Sequence, residues 1–308
     1  MVADLQTIER RSRFTSVGPL ARGGVAAVSL VRDRELGDVC CIKRVGLERA
    51  DVAARFVAEI STLMAIDNPH VVRVRAYGVE GDTIWYAMDR MKGSLYDKSP
   101  DGEPLDPLRV SRWMVHALIG LEALHRRGIV HRDIKPGNLL FDDEGYVKVA
   151  DLGLARHPDG SVNFRTRANV GLGTPEYAPH ELLRDAHSAD PRADVFGVAV
   201  TFFTLVTGGL PDRFVLHELE PGVLSTVPPE FVSALRQMGA PRVDDRIATA
   251  RGAMEVLCPA ADAYARRVGR EPLGARWMAV FDRVMPPIGL SGWVHNTLWR
   301  WGLRGGSR

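Results

Sequence analysis

Lysine is scarce in this chain. Of its 40 lysines and arginines, lysine supplies only Lys43, Lys92, Lys98, Lys135 and Lys148. The 38 acidic residues leave a net charge of +2, which is too small to indicate nucleic acid as the main partner. A general preference for arginine explains the ratio. It does not explain why two of the remaining lysines, Lys43 and Lys135, fall inside sequence motifs.

Cysteine and long apolar runs are also lacking. Cys40 and Cys41 are neighbours that cannot form an ordinary disulfide, and Cys258 stands alone, which argues against a disulfide framework and against a zinc site. Residues 1–13 contain no apolar segment of the kind that a secretory signal needs. No apolar run approaches the ~20 residues of a membrane-spanning helix. These features predict a protein of the reducing cytoplasm.

The pattern of apolar residues predicts two regions of different secondary structure. Residues 14–88 contain β-prone runs and one helix between residues 47 and 66, where apolar residues recur at helical spacing. Helical patterns dominate after residue 105 and include an apolar stripe over residues 110–124. A chain of 308 residues suits one two-lobed enzyme or two small domains. We expect a small strand-rich lobe, a joint near residues 89–94 and a larger helical lobe.

Residues 131–140 read HRDIKPGNLL and carry the strongest motif. This segment resembles the catalytic loop of protein kinases, H-R-D-x-x-x-x-N, at every fixed position. The resemblance implies that Asp133 accepts the proton of an attacking hydroxyl, that Lys135 places a cation beside the phosphoryl oxygens, and that Asn138 holds a metal ion. His131 is better interpreted as a packed core histidine than as a base. A chance polar loop is the alternative, and the complete match disfavours it.

Residues 147–153 read VKVADLG and look like the kinase D-F-G segment, with leucine in place of phenylalanine. Asp151 would then chelate a Mg²⁺ ion that bridges the β- and γ-phosphates of ATP. An Asp-x-Gly sequence by itself is usually only a turn. Its position shortly after the catalytic-loop motif favours the functional interpretation.

Residues 40–43 read CCIK and resemble the V-A-I-K of the third kinase strand. Lys43 would therefore pair with the α- and β-phosphates. A buried lysine needs an opposite charge to stay ionised, and Glu59 on the predicted helix is the expected partner. In isolation Glu59 is better explained as a solvated helix residue. Its position between Lys43 and the kinase-like NPHVV of residues 68–72 favours the functional interpretation.

The glycine-rich loop of the kinase family is only partly matched. Residues 20–28 read LARGGVAAV, which aligns with G-x-G-x-x-G-x-V only if alanines replace the outer two glycines. The resemblance places four residues of this loop at the nucleotide: Ala21, Gly23, Gly24 and Val28. Each alanine adds a methyl group where backbone N–H groups approach phosphates, so we expect weakened ATP binding. By itself this segment is better explained as a β-hairpin.

Residues 85–95 read WYAMDRMKGSL and resemble the hinge between the two kinase lobes. Met88 would take the gatekeeper position. The Asp89 carbonyl and the Met91 amide would hydrogen-bond the edge of adenine. Because these are backbone contacts, the match rests on position and on residues 93–95.

Residues 173–181 read GTPEYAPHE and look like the G-T-P-x-Y-x-A-P-E that closes a kinase activation segment, except that Pro-His replaces Ala-Pro. Glu181 keeps the acidic position, and Arg246 is its expected buried partner. Asp194 begins a segment that resembles the helix whose aspartate braces the catalytic loop. Lysine two residues after Asp133, together with Gly-Thr-Pro, is typical of serine/threonine kinases. The expected substrate is therefore a protein with a serine or threonine acceptor.

Arg132, just before the catalytic aspartate, is a ready partner for a phosphate on the activation segment. Ser161 and Thr166 are the main candidate phosphosites, with Thr174 a further one. We expect autophosphorylation at Thr166 or Ser161. An ordinary loop threonine explains Thr166 almost as well, so phosphopeptide mapping after incubation with MgATP is the test.

The resemblance covers residues 14–257 and implies an α+β, bilobal protein kinase fold. It divides the chain into an N-terminal extension (1–13), a small β-rich N-lobe (14–88), a hinge (89–94), a larger α-helical C-lobe (95–257) and a C-terminal extension (258–308). The end of the last part is basic and aromatic, so contact with a membrane surface is one interpretation. A helix that docks its tryptophans on the large lobe is the better one.

Three functions stay open, and the first is a serine/threonine kinase that resembles bacterial enzymes of this class and uses ATP and Mg²⁺. The second is a pseudokinase that acts as an ATP-binding or scaffolding module. The alanines of the glycine-rich loop and the altered Pro179 and His180 favour it slightly. A pseudokinase has often lost an equivalent of Lys43, Asp133 or Asp151, however. The third, a small-molecule phosphotransferase of kinase-like fold, usually lacks the complete motif set.

Overall fold

The computed structural model describes residues 13–22, 26–152, 175–184, 190–209 and 221–274. These residues form a small lobe built on a β-sheet and a larger helical lobe. The expected α+β, two-lobed architecture is confirmed. Within the described residues, no helix combines the length and the apolar character that are needed to cross a membrane.

The small lobe contains an antiparallel sheet with the strand order β1-β2-β3-β5-β4. Its strands are β1 (Phe14–Arg22), β2 (Ala26–Asp33), β3 (Val39–Gly46), β4 (Val74–Glu80) and β5 (Thr83–Asp89). Cys40 and Ile42 on β3 pack with Val31 and Ala87 on the outer face of the sheet. Because side chains alternate along a strand, Lys43 points to the inner face.

Helix α1 (Ala50–Ala65) packs beside the inner face of this sheet and confirms the helix predicted between residues 47 and 66. Val52, Phe56 and Leu63 lie on its buried side, and Glu59 lies among them. Its N-cap residue, Arg49, makes no side-chain capping hydrogen bond. Tertiary packing rather than a cap therefore stabilises this helix.

Three long helices form the centre of the part of the large lobe that the structure describes. The helices described there are α2 (Pro107–His125), α3 (His180–Arg184), α4 (Pro191–Thr207), α5 (Pro221–Leu224), α6 (Pro229–Met238) and α7 (Ala250–Arg267). Asp106 caps α2 and Asp190 caps α4, and a proline follows each cap, which is the favoured start of a helix. Helix α4 is buried along almost its whole length and contacts α2 and α7.

A small sheet of three short strands joins the crossing between the lobes to the catalytic segments. It consists of β6 (Gly93–Ser94), β7 (Leu139–Phe141) and β8 (Val147–Val149), in that order. Strand β7 follows Asn138 directly, and β8 leads into Asp151. The large-lobe sheet therefore positions both segments that carry the predicted metal ligands.

Helix α7 runs through the expected boundary between residues 257 and 258. Leu257, Cys258 and Ala261 all lie on its buried face, and the helix packs against α2 and α6. Because one continuous helix carries both sides of it, that boundary does not mark the end of the large lobe, and burial continues to Leu273. Residues 1–12 and 275–308, including the tryptophan-rich end, lie outside the described residues.

Candidate active site

The catalytic loop is fixed through its backbone by the first turn of α4. Asp194 accepts hydrogen bonds from the backbone N–H groups of His131 (2.9 Å) and Arg132 (2.7 Å). His125 Nε2 lies 2.7 Å from the same carboxylate. Burial alone would raise the pKa of Asp194, but the contact with His125 and the backbone donors lower it below its ordinary value. The ionised carboxylate therefore braces the loop, as the sequence predicts.

A close helix contact places this loop against α4. Gly197 lies one turn after Asp194, and a Cβ atom at this glycine would lie only 2.9 Å from Cβ of Ile134. Any larger residue would push the loop away from the helix. The sequence D-V-F-G thus supplies both the hydrogen-bonding carboxylate and the space that the loop occupies.

Two backbone conformations at the site are unusual. In the described parts of the chain, Arg132 (φ 71°) and Asp151 (φ 63°) are the non-glycine residues with positive φ. Such a conformation costs on the order of 1–3 kcal/mol and persists only where its surroundings enforce it. One of these residues precedes Asp133 and the other is the predicted metal ligand. Backbone strain therefore coincides with the site that the motifs predict.

Asp133, Lys135 and Asn138 converge on one another. Oδ2 of Asp133 accepts hydrogen bonds from Lys135 Nζ at 2.8 Å and from Asn138 Nδ2 at 2.8 Å. The same amide nitrogen also donates to the Asp133 carbonyl oxygen at 2.8 Å. Both contacts use the nitrogen of the Asn138 amide. The amide oxygen is thereby left as the atom suited to a cation.

His131 links the catalytic loop to the segment of Asp151. Its Nδ1 accepts the backbone N–H of Asp133 at 3.2 Å, so its Nε2 must carry the proton that is donated to the Ala150 carbonyl at 2.9 Å. The Ala150 N–H in turn donates to the Asn138 carbonyl at 3.0 Å. The fully buried His131 thus links two segments of the site and fills a structural role, in agreement with the sequence interpretation.

Strand β3 and helix α1 bring Lys43 and Glu59 together, which confirms the predicted ion pair. Lys43 Nζ lies 2.9 Å and 3.2 Å from the two carboxylate oxygens of Glu59, and 3.1 Å from Oδ1 of Asp151. Burial alone would lower the pKa of Lys43, but the carboxylate of Glu59 outweighs it and raises this pKa well above its ordinary value. Lys43 is therefore held as a cation beside Asp151.

Tyr86 is a member of this cluster that sequence reasoning did not single out. Its hydroxyl donates to Glu59 Oε1 at 2.8 Å, and its ring stacks on Phe56 with centroids 5.1 Å apart. The register of the sheet places Tyr86 directly opposite Lys43. A tyrosine in a β-prone run is an ordinary core residue, so only the packing of α1 on the sheet reveals the contact.

The inner face of the sheet continues from Lys43 toward β1. Val28 lies opposite Lys43, and Ala21 lies opposite Val28. Because opposite residues in antiparallel strands share a face, Val28 lies on the same face as Lys43. Gly23 and Gly24, the other two residues expected at the nucleotide, lie outside the described residues.

The crossing between the lobes carries the residues expected to contact adenine. Met88 pairs with Cys41 across β3 and β5 and packs against the main core. Asp89 ends β5, and its carboxylate binds Arg75. Burial raises the pKa of the Cys41 thiol, and the nearby Met91 N–H offsets part of this rise.

Glu181 on α3 pairs with Arg246, as predicted. Arg246 Nη1 lies 2.6 Å from Glu181 Oε1, and its Nε donates to the Ala240 carbonyl at 2.9 Å. Arg246 is buried, so the pair fixes α3 to the large lobe despite the Pro-His exchange. The candidate phosphosites, Ser161, Thr166 and Thr174, lie outside the described residues.

Comparison with known proteins agrees with this geometry. A family model described as "Protein kinase domain" matches residues 14–218. The chain belongs to the protein kinase family. Its expected similarity to bacterial serine/threonine kinases is confirmed by curated relatives.

Three of these relatives illustrate the similarity. The probable serine/threonine-protein kinase pknA2 of Bifidobacterium longum is 30% identical over 87% of this chain and 38% of its own length. Serine/threonine-protein kinase PkaA of Streptomyces coelicolor is 31% identical over 76% of this chain and 48% of its own length. Pkn2 of Myxococcus xanthus is 34% identical over 65% of this chain and 25% of its own length. The kinase chain thus spans half or less of each of these proteins.

The site residues fit the ATP and Mg²⁺ that protein kinases generally use. Asn138 offers an amide oxygen and Asp151 a carboxylate, which are ligands that Mg²⁺ prefers. In the described part of the chain, no group of three or more His, Cys, Asp or Glu side chains is placed to hold a metal ion. Mg²⁺ does not need such a group, because it is commonly bound by only one or two protein carboxylates together with substrate phosphates.

Proposed function

We propose that this protein is a Mg²⁺- and ATP-dependent kinase that transfers the γ-phosphoryl group of ATP to serine or threonine hydroxyls of proteins. The observation that supports it is one continuous chain of contacts between the lobes. Lys43 contacts Asp151 at 3.1 Å. The residue before Asp151 bonds to the backbone of Asn138, whose side chain bonds to Asp133.

Each side chain has a role that follows from its position. Asp133, held at Oδ2 by Lys135 and Asn138, takes the proton of the substrate hydroxyl as that oxygen bonds to the γ-phosphorus and ADP leaves. Lys135 places a positive charge where negative charge develops on the transferring group. Lys43, aimed by Glu59, binds the α- and β-phosphates. Asn138 and Asp151 would hold Mg²⁺, which neutralises charge on the β- and γ-phosphates.

The choice of serine and threonine rests on Lys135, two residues after Asp133, and on the names of the relatives, which are serine/threonine-protein kinases. Autophosphorylation at Thr166 or Ser161 and a cytoplasmic location belong to the same proposal. A scaffolding pseudokinase is disfavoured because Lys43, Asp133 and Asp151 are all retained and lie in one connected cluster.

The test is transfer of labelled phosphate from [γ-³²P]ATP with Mg²⁺ to a generic protein acceptor, followed by phosphoamino acid analysis. We expect label on serine or threonine. Asp133→Asn should lower kcat by at least about 100-fold, because it removes the proton acceptor. Asp143→Asn is the matched control, since this aspartate is 83% exposed in the turn between β7 and β8. Equal transfer by wild type and Asp133→Asn would contradict the proposal.

A further inference from the structure

We propose that Tyr86 is a positioning residue of the kinase reaction, whose hydroxyl holds Glu59 toward Lys43 so that the ion pair is assembled before a nucleotide binds. The inference rests on the proposed ATP-dependent activity and adds to it a residue outside the sequence motifs. It concerns an oxygen atom that contacts neither substrate nor metal, so Tyr86 acts through Glu59.

Two neighbouring strands of one sheet each supply a donor, the Tyr86 hydroxyl and Lys43 Nζ, to the carboxylate of Glu59. Tyr86 on β5 and Lys43 on β3 are paired residues in the sheet register. The Tyr86 hydroxyl and Lys43 Nζ lie 2.8 Å and 2.9 Å from the same oxygen of Glu59. Glu59 lies on α1, so any movement of this helix away from the sheet must break both contacts.

Glu59 needs this second donor. It is only 2% exposed, and burial raises the pKa of its carboxyl group above the ordinary value, although Lys43 and Tyr86 offset part of the rise. Lys43 also contacts Asp151 and is expected to bind phosphates, so its contact with Glu59 is shared with other acceptors. The Tyr86 hydroxyl has a single hydrogen to donate, and it donates this hydrogen to Glu59. It therefore stabilises the carboxylate whatever Lys43 binds.

Ring packing adds to this link between α1 and the sheet. The N-terminus of the helix lacks a side-chain cap, and the Phe56 ring of α1 stacks on the Tyr86 ring. Phe56 and Glu59 lie three residues apart, on one face of the helix. The ring of Tyr86 thus packs on α1 while its hydroxyl fixes the rotation of the helix.

The test is Tyr86→Phe, which removes the hydroxyl and keeps the stacked ring. Without nucleotide, fewer molecules should have the ion pair assembled, and the apparent affinity for a ligand falls by the assembled fraction. We expect KM for MgATP to rise about tenfold, the effect of losing one hydrogen bond to a charged group. At saturating MgATP, kcat should change little, because the nucleotide itself then assembles the pair.

The pH profile gives a readout that a merely structural tyrosine would not move. Glu59 must be ionised to hold Lys43, so kcat/KM falls as the pH drops through the pKa of this carboxyl group. Loss of the tyrosine donor destabilises the carboxylate and raises that pKa. The acidic limb of the profile should therefore move to higher pH in Tyr86→Phe.

The matched control is Tyr77→Phe, which removes the same atom from the β4 residue opposite Tyr86. Hydrogen exchange of the nucleotide-free variants completes the experiment without reliance on activity. Tyr86→Phe should speed hydrogen exchange within α1 but not within α2. Tyr77→Phe should leave the exchange of both helices as it is in the wild type. The inference would be overturned, without harm to the proposed function, if the wild type is active and Tyr86→Phe has the same KM for MgATP, the same acidic limb of the pH profile and the same exchange protection of α1. Absence of Asp133-dependent transfer by the wild type would instead defeat the proposed function.

Discussion

The two halves of the candidate site are held in different ways. In the large lobe, the loop of Asp133 is fixed by backbone hydrogen bonds to the buried Asp194 and by close contact with Gly197. In the small lobe, Lys43 meets Glu59 through side chains alone, on a helix without a side-chain cap. The catalytic loop is thus part of the core, whereas the lysine pair depends on the position of one helix.

Backbone hydrogen bonds between the lobes anchor the segment that follows the C-terminal end of α1. The loop after α1 bonds to β8, where the Val149 N–H donates to the His70 carbonyl at 2.8 Å and the Val72 N–H to the Val149 carbonyl at 3.0 Å. The rings of His70 and His116 stack with centroids 4.5 Å apart. The segment that follows α1 is therefore joined to the large lobe by backbone hydrogen bonds.

The largest expected effect comes from breaking the large-lobe brace. Asp194→Asn replaces an oxygen that accepts backbone N–H groups by an amide nitrogen that cannot, and leaves buried donors unpaired. We expect destabilisation of about 3 kcal/mol together with loss of phosphotransfer. Urea unfolding and labelled-phosphate transfer measure the two effects.

Asp190→Asn is the control for this variant. Asp190 caps the same helix by accepting the N–H of Arg192, and asparagine is an equally good N-cap. Its stability should therefore stay within about 0.5 kcal/mol of the wild type. Equal destabilisation by the two variants would show that Asp194 does not brace the loop.

A smaller loss of stability, with a clear loss of activity, is expected in the small lobe. Glu59→Gln keeps the shape of the side chain but removes the charge that holds Lys43. We expect kcat/KM to fall about tenfold or more, with less destabilisation than in Asp194→Asn because the neutral amide is cheaper to bury. Asp51→Asn, an exposed change on the same helix, is the control for steady-state kinetics. If Glu59→Gln unfolds the protein as readily as Asp194→Asn does, the contrast between the halves is wrong.

The smallest effect is a pH dependence of stability that comes from His70 and His116, whose rings stack where the two lobes meet. Burial lowers the pKa of His70 to about 4 and that of His116 to about 3. Both lie below the value of about 6.5 for an unfolded histidine. As the pH falls from about 6.5 to 4, these two histidines bind protons in the unfolded chain before they do so in the folded protein. The free energy of unfolding therefore decreases over this window.

His116→Asn tests this pH dependence. The asparagine side chain can still accept the Val147 N–H that His116 Nδ1 accepts at 3.2 Å, but it does not titrate. The loss of stability between pH 6.5 and 4 should be smaller in this variant when thermal unfolding is followed across the range. An unchanged slope would indicate that other groups govern acid unfolding.

The sequence predicted those parts of the site in which chemistry fixes both residue type and spacing. Asp133, Asn138 and Asp151 follow one another closely in the chain, so their motifs can be recognised from the sequence alone. Glu59 could be found because a buried Lys43 requires a partner. Tyr86 could not, because its contact depends on the strand register and on the packing of α1, neither of which leaves a pattern in the residues around it.

The end of the large lobe was misplaced for a related reason. The expected boundary at residue 257 was set where the motif resemblance stops, and motifs mark the chemistry rather than the packing. Leu257, Ala261 and Ala265 continue one buried face of α7. This face extends well past the last residue that belongs to a kinase motif.

The proposed site can be tested by a crystal structure with Mg²⁺ and a non-hydrolysable ATP analogue. We expect a metal ion within about 2.1 Å of the Asn138 amide oxygen and of the Asp151 carboxylate, with Lys43 on the phosphates and Asp133 facing the γ-phosphate. A nucleotide bound elsewhere, or phosphates that none of these side chains contacts, would contradict it.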